Sequence, residues 1–324
     1  MAEQNHSAPV QITPDELAKS ARKFRKELLM MPVHSMSETL QHMKTRYGVR
    51  YAETVGELSG DLEIGPYSET RVDKKDVNIK GRTLYTYLGS VVKDFSPNSV
   101  VGSIYDSAQT KGEALKRAEI VKRVVAYLSS KIGDNLNAVI WNAKRNADGT
   151  TSKDLFDGFD TIAAQEITDS NISVAKKNLY EFAEPISADN ALDQLKKFCR
   201  AAMPKLRNRK NLKLYVSQDI YDAYVDDYQA TVGAIVYNKS FDKLHVEGFP
   251  NIEIVVLANK TDSPFIQLTT ANNMLVGFNQ RGEEEQLAVE KYKSFVLTFE
   301  ATMFMGCQYE SISPEVLLVG KLAS

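Results

Sequence analysis

The residues best suited to metal chemistry are the aspartates between residues 148 and 160, which include Asp148, Asp154 and Asp157. Asp148-Gly149 matches the centre of an EF-hand calcium loop. That alignment, however, puts a lysine at position one and a leucine at position twelve, where carboxylates are required. The run therefore predicts a hairpin with glycine turns and no metal site.

Histidine, the usual general base, is scarce in this chain. There are four, and three of them fall in the N-terminal part of the sequence: His6, His34, His42 and His245. None has a visible partner at a catalytic spacing. The sequence also lacks GxxxxGK[ST], a GxGxxG after a strand, GxSxG and HExxH. We therefore predict no catalytic, metal-binding or cofactor-binding residue, and no enzyme.

Composition is that of a globular protein with one large or two medium domains: 324 residues, 43% hydrophobic, with 40 basic and 42 acidic side chains. The formal net charge of -2 argues against a dedicated nucleic-acid binder, so contact with nucleic acid is expected to be indirect. The two isolated cysteines, Cys199 and Cys307, favour a reducing compartment. We find no signal peptide and no run of about 18 apolar residues, and expect no membrane association.

Residues 1–67 are predicted to form an N-terminal arm. Thr13-Pro14-Asp15-Glu16 is a capping box, and the amphipathic helix that it opens should end at Pro32. The apolar positions of this helix that we expect to make contacts are Phe24, Leu28 and Leu29. The helix belongs either to the surface of its own domain or to an arm that lies on a neighbouring subunit.

Residues 68–104 are predicted to form an extended β-hairpin, with a turn at Lys80-Gly81 and a β-branched, aromatic run up to Phe95. Its charged residues are Arg71, Asp73, Lys74, Lys75, Asp76, Lys80 and Arg82. Such a polar hairpin is not buried in its own core, and an isolated ribbon is marginally stable. It either docks on a partner surface or remains a solvent-exposed loop.

The strongest helical pattern covers residues 113–141, a length of about 40 Å. Apolar residues recur every three or four positions and predict a buried face. The core positions are Leu115, Val121, Val125, Leu128, Ile132 and Leu136.

The region after Ser187 is predicted to be mixed α/β. An amphipathic helix begins near Leu192, a tyrosine-rich helix runs from Tyr221 to Tyr228, and four strands are expected at residues 212–216, 252–257, 265–268 and 316–319. One or two further strands should cover residues 287–304. A basic cluster could face phosphate, a partner's carboxylates or water, and we favour a solvated or subunit-facing edge: Arg200, Lys205, Arg207, Arg209, Lys210 and Lys213.

The order of these elements resembles the tailed-phage major capsid protein family, with its Hong Kong 97-type fold. Four segments in order carry the resemblance: LYTYLGSVVKDFSPNSVVGSIY, KGEALKRAEIVKRVVAYLSSKIG, LYVSQDIYDAY and LTTANNMLVGFN. The resemblance covers roughly residues 40–320. It implies an α+β capsid fold with an N-terminal arm, an extended loop (68–104), a peripheral domain with a spine helix (105–186), a mixed α/β axial domain (187–317) and a tail (318–324).

The resemblance also implies a function. Copies of the chain would assemble through hexamers and pentamers into an icosahedral shell around double-stranded DNA, forming a virion capsid in the bacterial host cytoplasm. The extended loop would contact the adjacent subunit through Arg71, Lys74, Lys75, Asp76, Lys80 and Arg82. Recognisable capsid sequence starts near residue 40, so we expect a separate scaffolding protein, and a portal as a further partner.

Other interpretations remain open. An encapsulin nanocompartment would use the same fold around protein cargo. A soluble α/β enzyme using the Asp148–Asp160 region would be a monomer or small oligomer. A tail-tube or portal protein fits less well, because those families lack the order of hairpin followed by spine helix.

Overall fold

The computed structural model describes residues 31–59, 67, 78–95, 117–232, 245–279, 287–293 and 296–323. Within this part of the chain, no helix is both long and apolar enough to cross a membrane. The chain divides into two compact units. The first unit falls within residues 1–37, 88–136 and 279–304, and the second within residues 38–87, 137–278 and 305–324.

The α-helices are α1 (Ser37–Leu40), α2 (Arg117–Val139), α3 (Phe159–Thr168), α4 (Ala191–Ala201), α5 (Pro204–Arg207) and α6 (Gln218–Val232). The strands before α2 are β1 (Lys44–Tyr47), β2 (Ala52–Ser59), β3 (Asn78–Tyr85) and β4 (Tyr87–Phe95). The later strands are β5 (Leu179–Glu181), β6 (Leu212–Val216), β7 (Ile252–Val256), β8 (Phe265–Thr270), β9 (Met274–Phe278), β10 (Leu287–Lys293), β11 (Val296–Tyr309) and β12 (Leu317–Lys321).

The second unit is built on a five-stranded sheet in the order β5-β12-β8-β6-β7. Strand β8 is antiparallel to both of its neighbours, whereas β5 is parallel to β12 and β7 is parallel to β6. One face of this sheet packs against α4 and α6, whose apolar residues include Phe198 and Tyr224, both fully buried. The other face carries Tyr215 and Gln267, also fully buried. Both sides of the central strands are therefore covered.

A second sheet places β1 parallel to β9, and β9 antiparallel to the end of β11. The paired residues on β11 run from Met305 to Tyr309. In the first unit, β10 pairs with the beginning of β11, and β4 also pairs with β11. The predicted strands at 287–304 are thus confirmed as β10 and β11.

Helix α2 confirms the long helix predicted at residues 113–141 within its described length, about 35 Å at 1.5 Å per residue. Val125 and Leu136 are buried as predicted, but Leu128 and Ile132 are only half-buried. The backbone at Pro32 packs closely against α2 at Gly133, where an added Cβ atom would lie 2.1 Å from the carbonyl oxygen of Pro32. Because Leu128 and Ile132 are only half-buried, the buried face of α2 is narrower than the sequence predicted.

Three local predictions were wrong. The Lys80-Gly81 turn does not exist, because β3 runs through both residues and pairs with β2, placing Gly81 opposite Gly56. Pro32 does not end the N-terminal helical stretch, since residues 31–35 are helical. The chain at 148–160 forms no hairpin strands: Gly158 caps α3, and the preceding loop closes through backbone hydrogen bonds such as Asn146 N to Asp154 O (2.9 Å).

Candidate functional site

Strands β2 and β3 form a two-stranded antiparallel ribbon, and Arg82 fixes its base. The Nη2 atom of Arg82 donates to Glu166 Oε1 at 2.5 Å and to Gln308 Oε1 at 2.9 Å. Its Nε donates to the carbonyl oxygen of Tyr309 at 3.2 Å. The Arg82 and Glu166 side chains are only 17% and 15% exposed, so little water competes for this pair. One side chain thus joins the ribbon to α3 and to the end of β11.

Apolar and backbone contacts hold the same base. Leu84 of β3 and Val55 of β2 are buried in a cluster with Val49 and Leu275. Just after β3, the hydroxyl of Thr86 donates to the carbonyl oxygen of Val49 at 3.1 Å. The chain also approaches β11 so closely that a Cβ atom at Gly306 would lie 1.8 Å from the carbonyl oxygen of Tyr85. Only glycine fits at this position, so the base of the ribbon is packed closely against β11.

Large side chains are exposed beside this base, at the end of the ribbon where β2 begins and β3 ends. Tyr51 is 67% exposed and Tyr85 is 54% exposed, although both are aromatic. A two-stranded ribbon is marginally stable in water unless a further strand or surface covers it. The ribbon is therefore suited to docking on another surface.

Strand β4 of the first unit also exposes apolar residues. Leu88, Val91 and Val92 are 51%, 37% and 64% exposed, respectively. Asp94 accepts a hydrogen bond from Thr298 of β11 at 2.6 Å, so this end of the strand is fixed. Apolar side chains grouped on one ordered strand are a typical protein contact surface.

The most deeply buried charges belong to the interior of the second unit. Lys260 and Asp160, 1% and 5% exposed, form an ion pair of 3.1 Å. Ser263 donates to Asp160 Oδ2 at 2.6 Å, and Gln267 donates to Oδ1 at 2.7 Å. The Lys260 ammonium also lies 3.8 Å from the ring centre of Trp141, a cation–π contact. Every charge in this cluster therefore has a partner inside the fold.

The electrostatics of this cluster indicate a structural role. Burial lowers the pKa of Lys260 to about 8, although the Asp160 carboxylate acts in the opposite direction. Burial also raises the pKa of the nearby Tyr309, whose hydroxyl donates to the carbonyl oxygen of Phe159 at 3.1 Å. Perturbed pKa values are common in active sites, but these side chains are closed off from any substrate. The cluster joins α3 to the sheet.

Two of the aspartates that the sequence suggested as calcium ligands accept hydrogen bonds within turns instead. Asp154 Oδ2 accepts hydrogen bonds from the backbone and hydroxyl of Thr151, and Asp157 Oδ1 accepts from the backbone of Arg145 at 2.8 Å. Both stabilise turns. Among the described residues, no group of three or more His, Cys, Asp or Glu side chains could hold a metal ion.

The predicted contact residues are only partly described. Phe24, Leu28 and Leu29 of the arm, and Arg71, Lys74, Lys75 and Asp76 of the loop, lie outside the described residues, as does Leu115 of the spine. The backbone positions of Lys80 and Val121 are described, in β3 and α2. The intersubunit role of Arg82 stays a prediction, but its guanidinium has three partners within its own chain.

Sequence reasoning missed the Arg82–Glu166 and Asp160–Lys260 pairs. Their members are 84 and 100 residues apart, respectively, so no local spacing signals either one. It also missed β2, the partner strand of the ribbon.

Comparison with solved structures identifies the fold. A chain of the satellite phage P4 procapsid including size determination (Sid) protein matches with a TM-score of 0.56 and 8% identity, over 89% of this chain and 97% of that one. The capsid of the native GTA particle gives 0.56 and 12%, over 100% and 96%. The capsid of the Myoviridae phage XM1 gives 0.52 and 10%, over 89% and 92%.

The chain has the fold of the tailed-phage capsid proteins. No protein-family model and no curated protein matches its sequence. The capsid fold was nevertheless predicted from the order of the elements, and its mixed α+β architecture is confirmed. The extended loop, the peripheral domain and the axial domain, with the boundaries given above, stay predictions.

Proposed function

We propose that this protein is the major capsid protein of a tailed bacteriophage or prophage. Copies would assemble through hexamers and pentamers into an icosahedral shell that encloses double-stranded DNA. The observation that carries the proposal is a capsid fold extending over 89% to 100% of the chain in the structural neighbours. The nearly neutral charge of -2 suits a container that does not bind its DNA tightly.

The ribbon gives the proposal a physical basis. Its base is fixed by Arg82 and the cluster around Leu84, while Tyr51 and Tyr85 are exposed. We expect the ribbon and the rest of the extended loop (68–104) to lie on an adjacent subunit. There, Arg71, Lys74, Lys75, Asp76 and Lys80 would pair with that subunit and set its register. Phe24, Leu28 and Leu29 would make the corresponding contacts of the arm.

The remaining regions would build the rest of the shell. Helix α2 would be the spine of the peripheral domain (105–186), around the local threefold axes. Residues 187–317 would form the axial domain, with its tip near the fivefold and sixfold axes. A separate scaffolding protein and a portal would be the partners during assembly in the host cytoplasm. Contact with DNA would be non-specific.

The experiment that tests this function is electron microscopy combined with sedimentation of the purified protein. The protein is prepared alone and coexpressed with its genomic neighbours. Closed shells, or rings of five and six, would support the capsid assignment. DNA inside the shells, as opposed to protein cargo, would separate a phage capsid from an encapsulin. A persistent monomer under all of these conditions would refute the proposal.

The loop contacts can be tested separately. Lys74→Glu, Lys75→Glu and Lys80→Glu together should block shell closure and leave the subunit folded, because surface substitutions have small effects on stability. Arg82 is left unchanged, since its substitution would loosen the base of the ribbon. Normal shells from the triple variant would show that the loop does not set the subunit contact.

A further inference from the structure

A groove of about 880 Å³ lies in the second unit, at the edge where β6 begins. Arg209 and Lys210 line it from the turn just before β6. The side-chain amide of Asn251 fixes this turn, because it donates to the carbonyl oxygens of Arg207 (2.6 Å) and Arg209 (2.9 Å). Both cations are therefore presented from an ordered backbone, which reduces the entropy lost on binding.

The charged side chains that line this groove leave a positive surplus, and we call it the basic groove. Arg209 and Lys210 are exposed, and neither has an ion-pair partner within the part of the chain that the structure describes. The surplus of two positive charges favours an acidic ligand. The other charged lining residues are balanced within the subunit: Lys213 by Glu253 at 3.0 Å, and Glu310 by Lys44 at 3.8 Å.

Helix α6 carries the complementary charge. Asp219, Asp222 and Asp226 are all exposed, and their spacing of three and four residues places them on one side of the helix, over about 10 Å. The fourth aspartate of α6, Asp227, is buried and accepts a hydrogen bond from the backbone of Leu192 at 2.7 Å. The helix contains no lysine, arginine or histidine. The three exposed carboxylates therefore form an acidic stripe that no cation of α6 balances.

The acidic stripe points away from the sheet. The buried residues Ile220, Tyr224 and Tyr228 of α6 pack on the sheet, and at about 100° per residue they lie on the side of the helix opposite to the stripe. Helix α3 also lacks basic residues, but its two carboxylates are paired inside the subunit, Asp160 with Lys260 and Glu166 with Arg82. Among the described helices of eight or more residues, α6 thus combines exposed carboxylates with the absence of any basic residue.

The basic groove and α6 belong to opposite faces of the same sheet. Leu212 and Leu214 of β6 point toward α6, since both lie in the apolar cluster that contains Tyr224. Side chains alternate along a strand, so Lys213, which lines the groove, points to the other face. A stripe that faces away from one side of the sheet cannot reach a groove on the other side. The two complementary surfaces can therefore meet only between subunits.

We propose that the basic groove binds the acidic stripe of a second copy of this chain, with Arg209 and Lys210 facing Asp222 and Asp226. This inference rests on the proposed self-assembly and adds to it a specific contact. Because the two surfaces differ and lie on opposite sides of the unit, the contact is head-to-tail. Such contacts generate rings when the rotation between subunits closes.

A nucleic-acid backbone fits the basic groove less well than the acidic stripe does. Its continuous negative charge is held by extended basic surfaces that make many phosphate contacts. The surplus here is two cations in a single turn, which matches a short row of carboxylates. The groove also has no aromatic lining residue on which a base could stack.

The first test is a charge swap read out by the yield of rings and closed shells. Arg209→Glu with Lys210→Glu, and separately Asp222→Lys with Asp226→Lys, should each reduce the yield on the order of tenfold or more. Combining the two sets should restore most of it. Asp219 is left unchanged, because a negative charge in the first turn stabilises α6. Urea unfolding of the unassembled subunits checks that each variant is folded.

The matched controls reverse exposed charges elsewhere in the second unit. They are Lys176→Glu with Lys177→Glu, and Glu184→Lys with Asp189→Lys, none of which lines the groove or belongs to α6. Both should assemble normally. Loss of assembly in the controls to the same extent would mean that any such change of surface charge blocks assembly, and the specific contact would be refuted.

The second test detects the contact directly. One chain carrying both Lys210→Cys and Asp226→Cys is oxidised mildly, and a disulfide forms only where the two Cα atoms come within about 7 Å. We expect a ladder of covalent oligomers on a non-reducing gel, with each single variant giving dimers at most. The native thiols should not interfere, because burial raises the pKa of Cys199 to about 12 and also raises that of Cys307. A monomer with an internal disulfide would show that both surfaces meet within one subunit, which overturns the proposal.

The outcomes separate this inference from the proposed function. If wild-type protein forms shells but the reversals assemble normally, the swap fails to rescue folded subunits, or no ladder forms, the contact is refuted and the capsid function stands. Normal shells that retain less DNA in the Arg209→Glu, Lys210→Glu variant would assign the groove to nucleic acid and overturn the contact. Failure of the wild-type protein to assemble, together with absence of the ladder, would refute both.

Discussion

Strand β8 of the second unit and strand β4 of the first unit use similar residues in opposite ways. Phe265 to Thr269 of β8 are all buried, including the polar side chain of Gln267, which donates to the buried Asp160. In β4, Leu88 and Val92 are more than half exposed. This contrast indicates that the sheet of the second unit is completed within the chain, whereas β4 and the ribbon present surfaces that another molecule can complete.

Breaking the buried ion pair should give the largest loss of stability. Lys260→Met leaves the charge of Asp160 buried beside only Ser263 and Gln267, at a cost of about 3 to 5 kcal/mol. Adding Asp160→Asn should recover part of this loss, because it removes the unpaired charge. The measurement is urea unfolding of the unassembled chain at pH 7, below the Lys260 pKa of about 8.

The matched control for this prediction is an exposed ion pair in the same unit. Lys205 and Glu315 are 2.7 Å apart with side chains 73% and 39% exposed. Lys205→Met should therefore change the free energy of unfolding by less than about 1 kcal/mol. Equal effects of the two substitutions would mean that the interior of the second unit does not depend on its buried charges.

The next largest effect is expected at the base of the ribbon. Arg82→Met leaves Glu166, Gln308 and the carbonyl oxygen of Tyr309 without their donor, which should cost about 1.5 to 3 kcal/mol. Amide hydrogen exchange should accelerate in β2 and β3 while β8 stays protected. Arg46→Met is the control, because its pair with Glu53 is longer at 3.7 Å and about a third exposed. Unchanged exchange in the ribbon would show that Arg82 does not support it.

Much of the second unit's sheet could be predicted from sequence because its strands are short, continuous apolar runs between turn signals. The strand predicted at 212–216 is confirmed as β6, and those predicted at 252–257 and 265–268 match β7 and β8 within two residues. Local composition decides such elements, since both faces of each strand are buried.

The ribbon and the buried pair could not be predicted, because long-range pairing decides them. Gly81 is a turn signal in isolation, yet it lies opposite Gly56 in mid-ribbon. Asp160 belongs to a run of aspartates in sequence, but α3 carries it into the core against Lys260. The exposure of Leu128 and Ile132 likewise depends on what covers α2, which the helical period does not encode.

A smaller effect on the free energy of unfolding is expected from pH, through His42 in the second unit. Burial, and then the Lys213 ammonium, lower the pKa of His42, with Glu253 acting in the opposite direction. The Nδ1 atom of His42 lies 2.9 Å from Lys213 Nζ, and the Tyr215 hydroxyl donates to the His42 carbonyl oxygen. Because the folded state disfavours the protonated ring, the stabilisation is present above pH 6.5 and lost as the pH falls below it.

Replacing the imidazole should remove this dependence. His42→Gln should flatten the slope of the unfolding free energy between pH 7.5 and about 5, a slope that one proton limits to about 1.4 kcal/mol per pH unit. His34→Gln, at an exposed position in the first unit, serves as the control and should keep the wild-type slope. Identical slopes for His42→Gln and wild type would locate the acid sensitivity elsewhere.

The smallest effect on stability, and the sharpest contrast with β8, is expected on β4. Val92→Asp places a charge on a side chain that is 64% exposed, so the free energy of unfolding should change by no more than about 0.5 kcal/mol. Assembly should nevertheless fail, because a partner surface that covers Val92 would have to bury the new carboxylate. Sedimentation and urea unfolding of the same preparation measure both quantities.

Ser90→Asp on the same strand is the control that separates the effect of an added charge on assembly from the effect of losing apolar surface at Val92. Ser90 is exposed and already polar, so its replacement adds the same charge without removing a hydrophobic contact. Residues 90 and 92 lie on the same face of the strand. Failure of assembly in both variants would mean that the whole face is covered, whereas failure in Val92→Asp alone would limit the contact to the apolar side chain. If Val92→Asp unfolds the chain as Lys260→Met is expected to, β4 is completed within its own subunit, and the contrast with β8 does not hold.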